Sequence, residues 1–415
     1  MRKLLNAARK AGWNLGDQIL SALSNVILTV VIARSVGSAS TFGAFAIAFT
    51  VFGIGIAVTR AVVGQPLQIR YAASEPEEQR AAIGRAHGFA VLIGIVGGLG
   101  CIAAGALFGG DLGTALIALG VCLPGLLLQD TQRLTFFALG KSWGAVVIDG
   151  VWNLVLFSLL AALILSGVTA LGPLVLAWGG SAALAAGVGV WLLRAGPRLR
   201  DCLGWIRETR DLTGYLLAEY VLGLGASQVS ILLVAVIATE EAVGSLRAAQ
   251  TLLGPLGILG AACFSFTVPE IARRTHLTPA QRVLAGHAVS GLMGLAACLY
   301  VGALLLLPDA AGEALFAESW GGASTVLLAM GASSVFSSLA NGLAGVLYGL
   351  GHAKLTFRIN MAKAPVILVA VLGGAWLDGA LGAAIGMAVA EAYVLPLWYI
   401  AFRRAAKKGV ATRPA

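Results

Sequence analysis

Twelve apolar runs, each about as long as a bilayer core is thick, follow one another near residues 13–33, 40–59, 86–108, 113–132, 145–167, 173–193, 213–237, 245–268, 283–307, 323–347, 360–377 and 380–402. A helix rises about 1.5 Å per residue, so about 20 apolar residues carry it across the hydrocarbon. With 59% hydrophobic and 11% charged residues and a mean hydropathy of +0.90, a water-soluble globule of 415 residues has no interior large enough to hide these runs. The chain therefore reads as all-α, a polytopic integral membrane bundle of about 12 transmembrane helices. The first run follows the basic "MRKLLNAARK" and resembles a signal peptide in outline. Asn14, Asp17 and Gln18 make it too polar, and its length exceeds a cleaved apolar core, so it is read as helix 1.

Orientation follows from the lysines and arginines. An amino terminus in the cytoplasm places 26 of the 28 on the cytoplasmic side and leaves only Arg34 and Arg247 outside. Dropping one helix would invert every later loop and destroy this bias. Both termini are therefore expected in the cytoplasm, and the net charge of +9 reads as a topology signal and an attraction to anionic headgroups rather than to nucleic acid. The outer connections are short. The longest, Pro308 to Gly322, carries Asp309, Glu313 and Glu318 and has no room for a catalytic domain. The 55 glycines suit close helix contacts, and a biased coding composition would raise them equally well. Five scattered cysteines and four histidines show no metal-ligand spacing, so neither metal nor other cofactor is expected.

The passage "FALGKSWGAVVID" at Phe137–Asp149 returns as "YGLGHAKLTFRIN" at Tyr348–Asn360. A shift of 211 residues lays Asp130 on Asn341, Phe137 on Tyr348, Gly140 on Gly351 and Asp149 on Asn360. A looser echo joins Ser24 to Ser227, and Gly43 with Phe45 to Gly244 with Leu246. Two six-helix lobes are implied, residues 1–193 and 213–402, joined by a cytoplasmic linker at 194–212 and followed by a basic tail at 403–415. Six is even, so both lobes enter from the cytoplasm as parallel repeats, with a substrate cavity expected between them.

Polar residues inside apolar runs mark the candidate site. Asn14, Asp17, Gln18, Ser21, Ser24 and Asn25 occupy one stripe of helix 1, roughly 120° wide at about 100° per residue. An ionised Asp at mid-membrane costs about 2.5–3.5 kcal/mol, so this stripe should face protein or water, as a cavity wall or as polar glue between helices. Helix 7 places Glu219, Tyr220, Gly223, Ser227 and Ser230 on a similar face, and Asp17 and Glu219 are the candidate ion-coupling acids. Arg247, Gln250, Thr251 and Gly254 share one side of helix 8 ahead of Pro255. Arg247 and Gln250 are therefore candidate substrate contacts, with Arg34 at the helix 1–2 turn as the other outer cation, although either arginine would also serve as an interfacial anchor. Asp130, Arg133, Lys141 and Asp149 fall at the cytoplasmic rim and are read as ion pairs tying a hairpin down. Ser333, Ser337, Asn341 and Gly345 on helix 10 read as packing. No nucleophile elbow, Walker loop, HExxH or paired-carboxylate signature is present.

Three stretches, "LLQDTQRLTFFALGKSWGAVVIDGVWNLVLF", "VVIARSVGSASTFGAFAIA" and "VGSLRAAQTLLGPLGIL", carry a family likeness. Together they resemble the polysaccharide-exporter branch, the Wzx-like flippases, of the multidrug/oligosaccharidyl-lipid/polysaccharide exporter superfamily. The resemblance implies two V-shaped lobes in a bacterial plasma (inner) membrane, which translocate polyprenyl-diphosphate-linked oligosaccharide by alternating access. It implies a glycan polymerase or glycosyltransferases as partners besides membrane lipids. The related flippases of lipid-linked peptidoglycan precursors have extra helices and an arginine-rich cavity, whereas helix 1 here offers Asp17. Three rivals remain open: a cation-coupled drug or small-molecule antiporter of the same superfamily, a membrane glycan ligase or polymerase, and a non-transporting scaffold.

Overall fold

The computed structural model describes residues 20, 23–71, 74–220, 225–273 and 277–408. Among the described residues every regular element is a helix. In chain order they are α1 (Leu23–Ser35), α2 (Ala39–Tyr71), α3 (Pro76–Phe108), α4 (Gly110–Ala138), α5 (Ser142–Leu165), α6 (Leu171–Leu193), α7 (Cys202–Tyr220), α8 (Ala226–Ile237), α9 (Glu240–Arg273), α10 (Pro279–Leu305), α11 (Asp309–Phe316), α12 (Ser319–Gly349) and α13 (Ala353–Lys408). Each of the twelve apolar runs coincides with helix where it is described. Eight of the described helices are long and apolar enough to cross a membrane. α13 is 56 residues long, about 84 Å if straight, and bends at Asp378 and Gly379, where Gly379 takes a φ of 51°. It therefore supplies two crossings. With α1, α8 and α9 the count comes to about twelve, in a multi-pass membrane protein.

Helix ends follow local chemistry rather than hydropathy. The Ser38 hydroxyl accepts the Thr41 amide at 3.1 Å and starts α2. Thr278 and Gln281 form a capping box ahead of α10, with Pro279 at its first position. Helices outlast their apolar cores: α2 continues to Tyr71 and α3 begins at Pro76, well before residue 86. The expected linker is itself largely helical, because α7 starts at Cys202 and folds onto the helices before it. Trp205 and Cys202 are buried there among Val62, Val63, Leu67, Ala86 and Phe89.

The interior mixes small residues with buried rings such as Phe45, Trp178 and Phe402, and many large aliphatic side chains face out. Leu107, Leu165 and Leu306 are more than four-fifths exposed, at 86%, 88% and 84%, as lipid requires. Close approach between helices is carried by glycine pairs. A side chain on Gly98 or Gly105 of α3 would fall on the carbonyls of Gly120 or Gly113 of α4, and Gly374 and Gly382 lock the two arms of α13 in the same way. Gly100, Gly150 and Gly187 face open space, so contact explains only part of the glycine excess.

The chain divides into two compact units, Met1–Val221 and Leu222–Ala415. Each contains the same turn. In the first, the amides of Leu139, Gly140 and Lys141 donate to the carbonyls of Thr135, Phe137 and Phe136 at 2.9, 3.0 and 2.9 Å. In the second, those of Leu350, Gly351 and His352 donate to Val346, Tyr348 and Leu347 at the same three lengths. This is the Schellman ending, which needs a left-handed residue; Gly140 (φ 65°) and Gly351 (φ 84°) provide it.

α2 is irregular at one place. Pro66 has no amide hydrogen to give the Val62 carbonyl four residues earlier, and its ring crowds that carbonyl. The helix widens into a π segment over Arg60–Gly64, closed by the Gln65 amide on the Arg60 carbonyl. The Val62 carbonyl instead receives the Trp205 indole N–H at 2.9 Å, from the fully buried ring on α7.

Two outcomes follow from this packing. Gly98→Leu should destabilise the protein by about 1–3 kcal/mol or more, whereas Gly100→Leu, two residues on, should leave the detergent-solubilised melting profile unchanged. Trp205→Phe strands a buried carbonyl and should cost about 1–3 kcal/mol, with faster amide exchange over residues 60–71 than in the native chain.

Candidate functional site

The first unit holds an open cleft of about 560 Å³, a figure that includes the space at its mouth. Its walls come from five helices. α1 contributes Ser24, Asn25 and Leu28; α2 contributes Phe52, Ile56 and Arg60; α4 contributes Gln129, Asp130 and Arg133; α5 contributes Asp149, Trp152 and Asn153; α6 contributes Trp178.

The cleft is polar because α4 buries the run Gln129-Asp130-Thr131-Gln132-Arg133, each residue 8% exposed or less. The Thr131 hydroxyl returns to the Leu127 carbonyl, and Gln132 Nε2 donates to the Ala186 carbonyl at 3.0 Å, so these two are tied to backbone rather than to the charges. The remaining residues form a charge network. Arg60 donates through Nε to Asp130 Oδ2 at 2.8 Å and through Nη2 to Oδ1 at 2.5 Å, a two-pronged pair. Arg133 stands one turn from Asp130 with Nη1 at 3.5 Å, and its Nε lies 3.1 Å from Asp149 Oδ2. Gln129 Nε2 donates to Asp149 Oδ1 at 2.6 Å, and Asn153 Nδ2 donates to the Asp149 carbonyl at 2.8 Å. Two guanidiniums and two carboxylates thus cancel within one cluster. That is the condition for burying them, since an unpaired ion in this setting costs several kcal/mol.

Arg60 is the member of the cluster that meets the cleft. The Asp130 and Asp149 side chains are 3% and 2% exposed and that of Arg133 is 10%, whereas that of Arg60 is 40% exposed. Its Nε and Nη2 hold Asp130, and its Nη1 has no partner among the described residues. A guanidinium fixed along one edge and open along the other is a preset donor for an anion. Opposite it the wall turns aromatic. Trp178 stacks on Phe49 at 5.4 Å, meets Phe52 edge-on at 4.9 Å, and its carbonyl accepts the Trp152 indole N–H at 3.1 Å.

Of the residues singled out from the sequence, Asn25 lies on this wall beside Asp130 and Asp149. Asn14, Asp17, Gln18 and Ser21 lie outside the described residues, and Glu219 is on α7 with its side chain undescribed. Arg34 is exposed near the end of α1; Arg247 and Gln250 are half-buried in the opening turns of α9, in the second unit. Asp130, Arg133 and Asp149 interlock, while Lys141 is exposed in the turn and makes no ion pair among the described residues. Arg60, Gln129, Trp152, Asn153 and Trp178 were not singled out. Arg60 is 70 residues from Asp130 and ends an apolar run, so it counts as one more cytoplasmic cation until the fold joins them.

The second unit shows that the hairpin does not need these charges. The shift of 211 lays Ala340, Asn341, Ala344 and Asn360 on Gln129, Asp130, Arg133 and Asp149, and the turn forms all the same. Its membrane-embedded pair, Lys363 with Glu391, joins the two arms of α13 instead.

No protein-family model matches the chain, and no curated protein matches it. Solved structures do. The lipid II flippase MurJ in an inward closed conformation superposes with a TM-score of 0.74 over 92% of this chain and 86% of that one, at 11% identity. An inward-facing multidrug resistance MATE family transporter of the MOP superfamily gives 0.67 over 94% and 96%, at 17% identity. A MOP superfamily transporter from Pyrococcus furiosus, described by the reverse polarity of its binding pocket, gives 0.66 over 97% and 95%, at 14% identity. The chain has the fold of MOP-superfamily transporters.

Proposed function

We propose that this protein is a flippase that moves a polyprenyl-diphosphate-linked oligosaccharide from the cytoplasmic to the outer leaflet, by alternating access, for surface polysaccharide assembly. One observation carries the reading: Arg60, clamped on Asp130, turns its open edge into a polar cleft whose charged positions Asp130, Arg133 and Asp149 are asparagine, alanine and asparagine in the second repeat. A diphosphate brings roughly two negative charges and needs such a donor. The half-buried Asn25 and Asn153 offer amide groups and Trp152 offers a ring, a combination suited to sugar hydroxyls and their apolar faces. The polyprenyl tail stays in lipid. Moving two negative charges outward across about 100 mV, inside negative, releases about 4–5 kcal/mol, so the cleft has mainly to replace headgroup hydration. In this reading the protein sits in a bacterial plasma membrane and hands its cargo to a glycan polymerase or glycosyltransferases, with Arg247, Gln250, Arg34 and the helix 1 residues Asn14, Gln18 and Ser21 completing the headgroup path.

A cation-coupled antiporter of the same superfamily is the second reading. It requires a carboxylate able to take up a cation, and both carboxylates of the described cleft are already held by arginines. That reading therefore rests on Asp17 and Glu219, and drug efflux from proteoliposomes under an imposed ion gradient would favour it.

Deletion of the gene should trap lipid-linked oligosaccharide on the cytoplasmic leaflet, and leaflet-specific analysis of the lipid extract reads this directly. Complementation by Arg60→Ala should restore outer-leaflet material at least ten-fold less well than the native gene, and Arg60→Lys should lie between. Normal export by Arg60→Ala would overturn the reading. Arg60 is partly solvated, so its removal should cost about 2 kcal/mol of stability, less than for a fully buried pair, and Asp130→Asn in the same chain should restore part of it. Arg247→Ala should lower export more than Arg34→Ala; equal, near-normal export by both would remove the second cation from the path.

A further inference from the structure

The segment joining α6 to α7 and the first turns of α7 are held tightly on one side and bare on the other. The Arg198 amide donates to the Gly84 carbonyl of α3 at 2.8 Å, and the Arg198 carbonyl lies so close to Gly88 that no side chain fits there. From α7, Cys202, Trp205 and Thr209 are buried against α2 and α3. Its later acids pair with groups on the preceding helices. Glu208 accepts from the Tyr71 hydroxyl at 3.0 Å and from Arg85 Nη2 at 3.1 Å, and Asp211 accepts from Arg70 Nη2 at 2.5 Å.

The opposite face has the reverse character. Leu203, Ile206, Arg207 and Arg210 fall within an arc about 100° wide. Leu203 is 62% exposed and Ile206 41%, and both arginines are exposed. Leu199, half exposed, and the exposed Arg200 extend the surface into the preceding turn. Arg200, Arg207 and Arg210 have no ion-pair partner among the described residues. Glu208 and Asp211 are each paired with an arginine of the preceding helices, and the arc itself carries only cations, with the exposed Asp201 and Asp211 outside it. Exposed leucine and isoleucine between unpaired guanidiniums suit neither bulk water nor hydrocarbon. They suit the boundary, where apolar side chains enter the acyl region and arginines stay among phosphates. The positive-inside tally puts this boundary on the cytoplasmic side.

We infer that the outer face of α7, with Leu199 and Arg200, is a seat for anionic phospholipid of the cytoplasmic leaflet. Arg200, Arg207 and Arg210 hold the headgroup phosphates, and Leu199, Leu203 and Ile206 anchor among the first methylenes. Because α7 carries Trp205, the donor to the Val62 carbonyl beside Arg60, lipid on this face steadies the π segment that orients the cleft. The surface is independent of what the cleft transports.

Thermal unfolding of the full chain in neutral detergent, titrated with short-chain phosphatidylglycerol, tests this. Bound lipid raises the midpoint by mass action. Each arginine near an anionic surface is worth about five-fold in affinity (about 1 kcal/mol), so Arg200→Gln/Arg207→Gln/Arg210→Gln should need roughly 100-fold more phosphatidylglycerol for the same shift. Leu203→Ser should weaken the response several-fold with all charges kept. Arg403→Gln/Arg404→Gln/Lys407→Gln, which removes as much exposed charge from the end of α13, should respond like the native chain. An unchanged lipid requirement in the α7 variant, an equal loss in the α13 variant, or an equal shift with phosphatidylcholine would each overturn the inference.

Discussion

A carboxylate inside a bilayer must bring its own counter-charge, and the organisation of the first unit depends on this. Asp130 sits near the end of α4 with its side chain only 3% exposed, where little solvent disperses its field. The chain answers with Arg60 from α2 and Arg133 from one turn away, and balances the second guanidinium with Asp149 of α5. Because partners come from three helices, the electrostatic requirement also fixes how those helices sit against one another. It leaves one guanidinium edge over for the cleft.

The two units show what fold and site each demand. Both end a helix with the same three hydrogen bonds and the same left-handed glycine, so Gly140 and Gly351 belong to the architecture. Asp130, Arg133 and Asp149, the interlocked ions near this turn in the first unit, become asparagine, alanine and asparagine in the second. A repeated scaffold that loses its ions in one copy and keeps its shape did not need them for shape. The ion pair of the second unit, Lys363 with Glu391, bridges the arms of one broken helix rather than lining a polar wall.

Much of this was legible in the sequence for simple reasons. Helices in lipid must be apolar over a fixed length, so the apolar runs fall on the described helices, about twelve crossings in all, and the 211-residue repeat marks the paired turns. Pairing across the fold was not legible. Nothing in "VTRAVVGQP" says that Arg60 meets a carboxylate 70 residues away, and its charge also fits the loop tally. The aromatic wall was hidden for another reason: Trp152 and Trp178 look like ordinary membrane residues until the Trp152 indole is seen donating to the Trp178 carbonyl across two helices. The stretch 194–212 reads in sequence as a link between two halves. That Glu208 and Asp211 pair with Arg85 and Arg70 while Arg207 and Arg210 stay unpaired among the described residues needs the helix to be seen.

The widened turn at Arg60–Gly64 also has a mechanical meaning. A wide turn is equivalent to one surplus residue threaded into an otherwise regular spiral, and everything beyond it is rotated by about 100° relative to an uninterrupted rod. If the surplus migrated by a few positions, Tyr71 and Gln68 would keep their seats while Arg60 swung away from Asp130 and the cleft. Pro66 and the Trp205 ring hold the surplus where it is, and with it the direction in which Arg60 points.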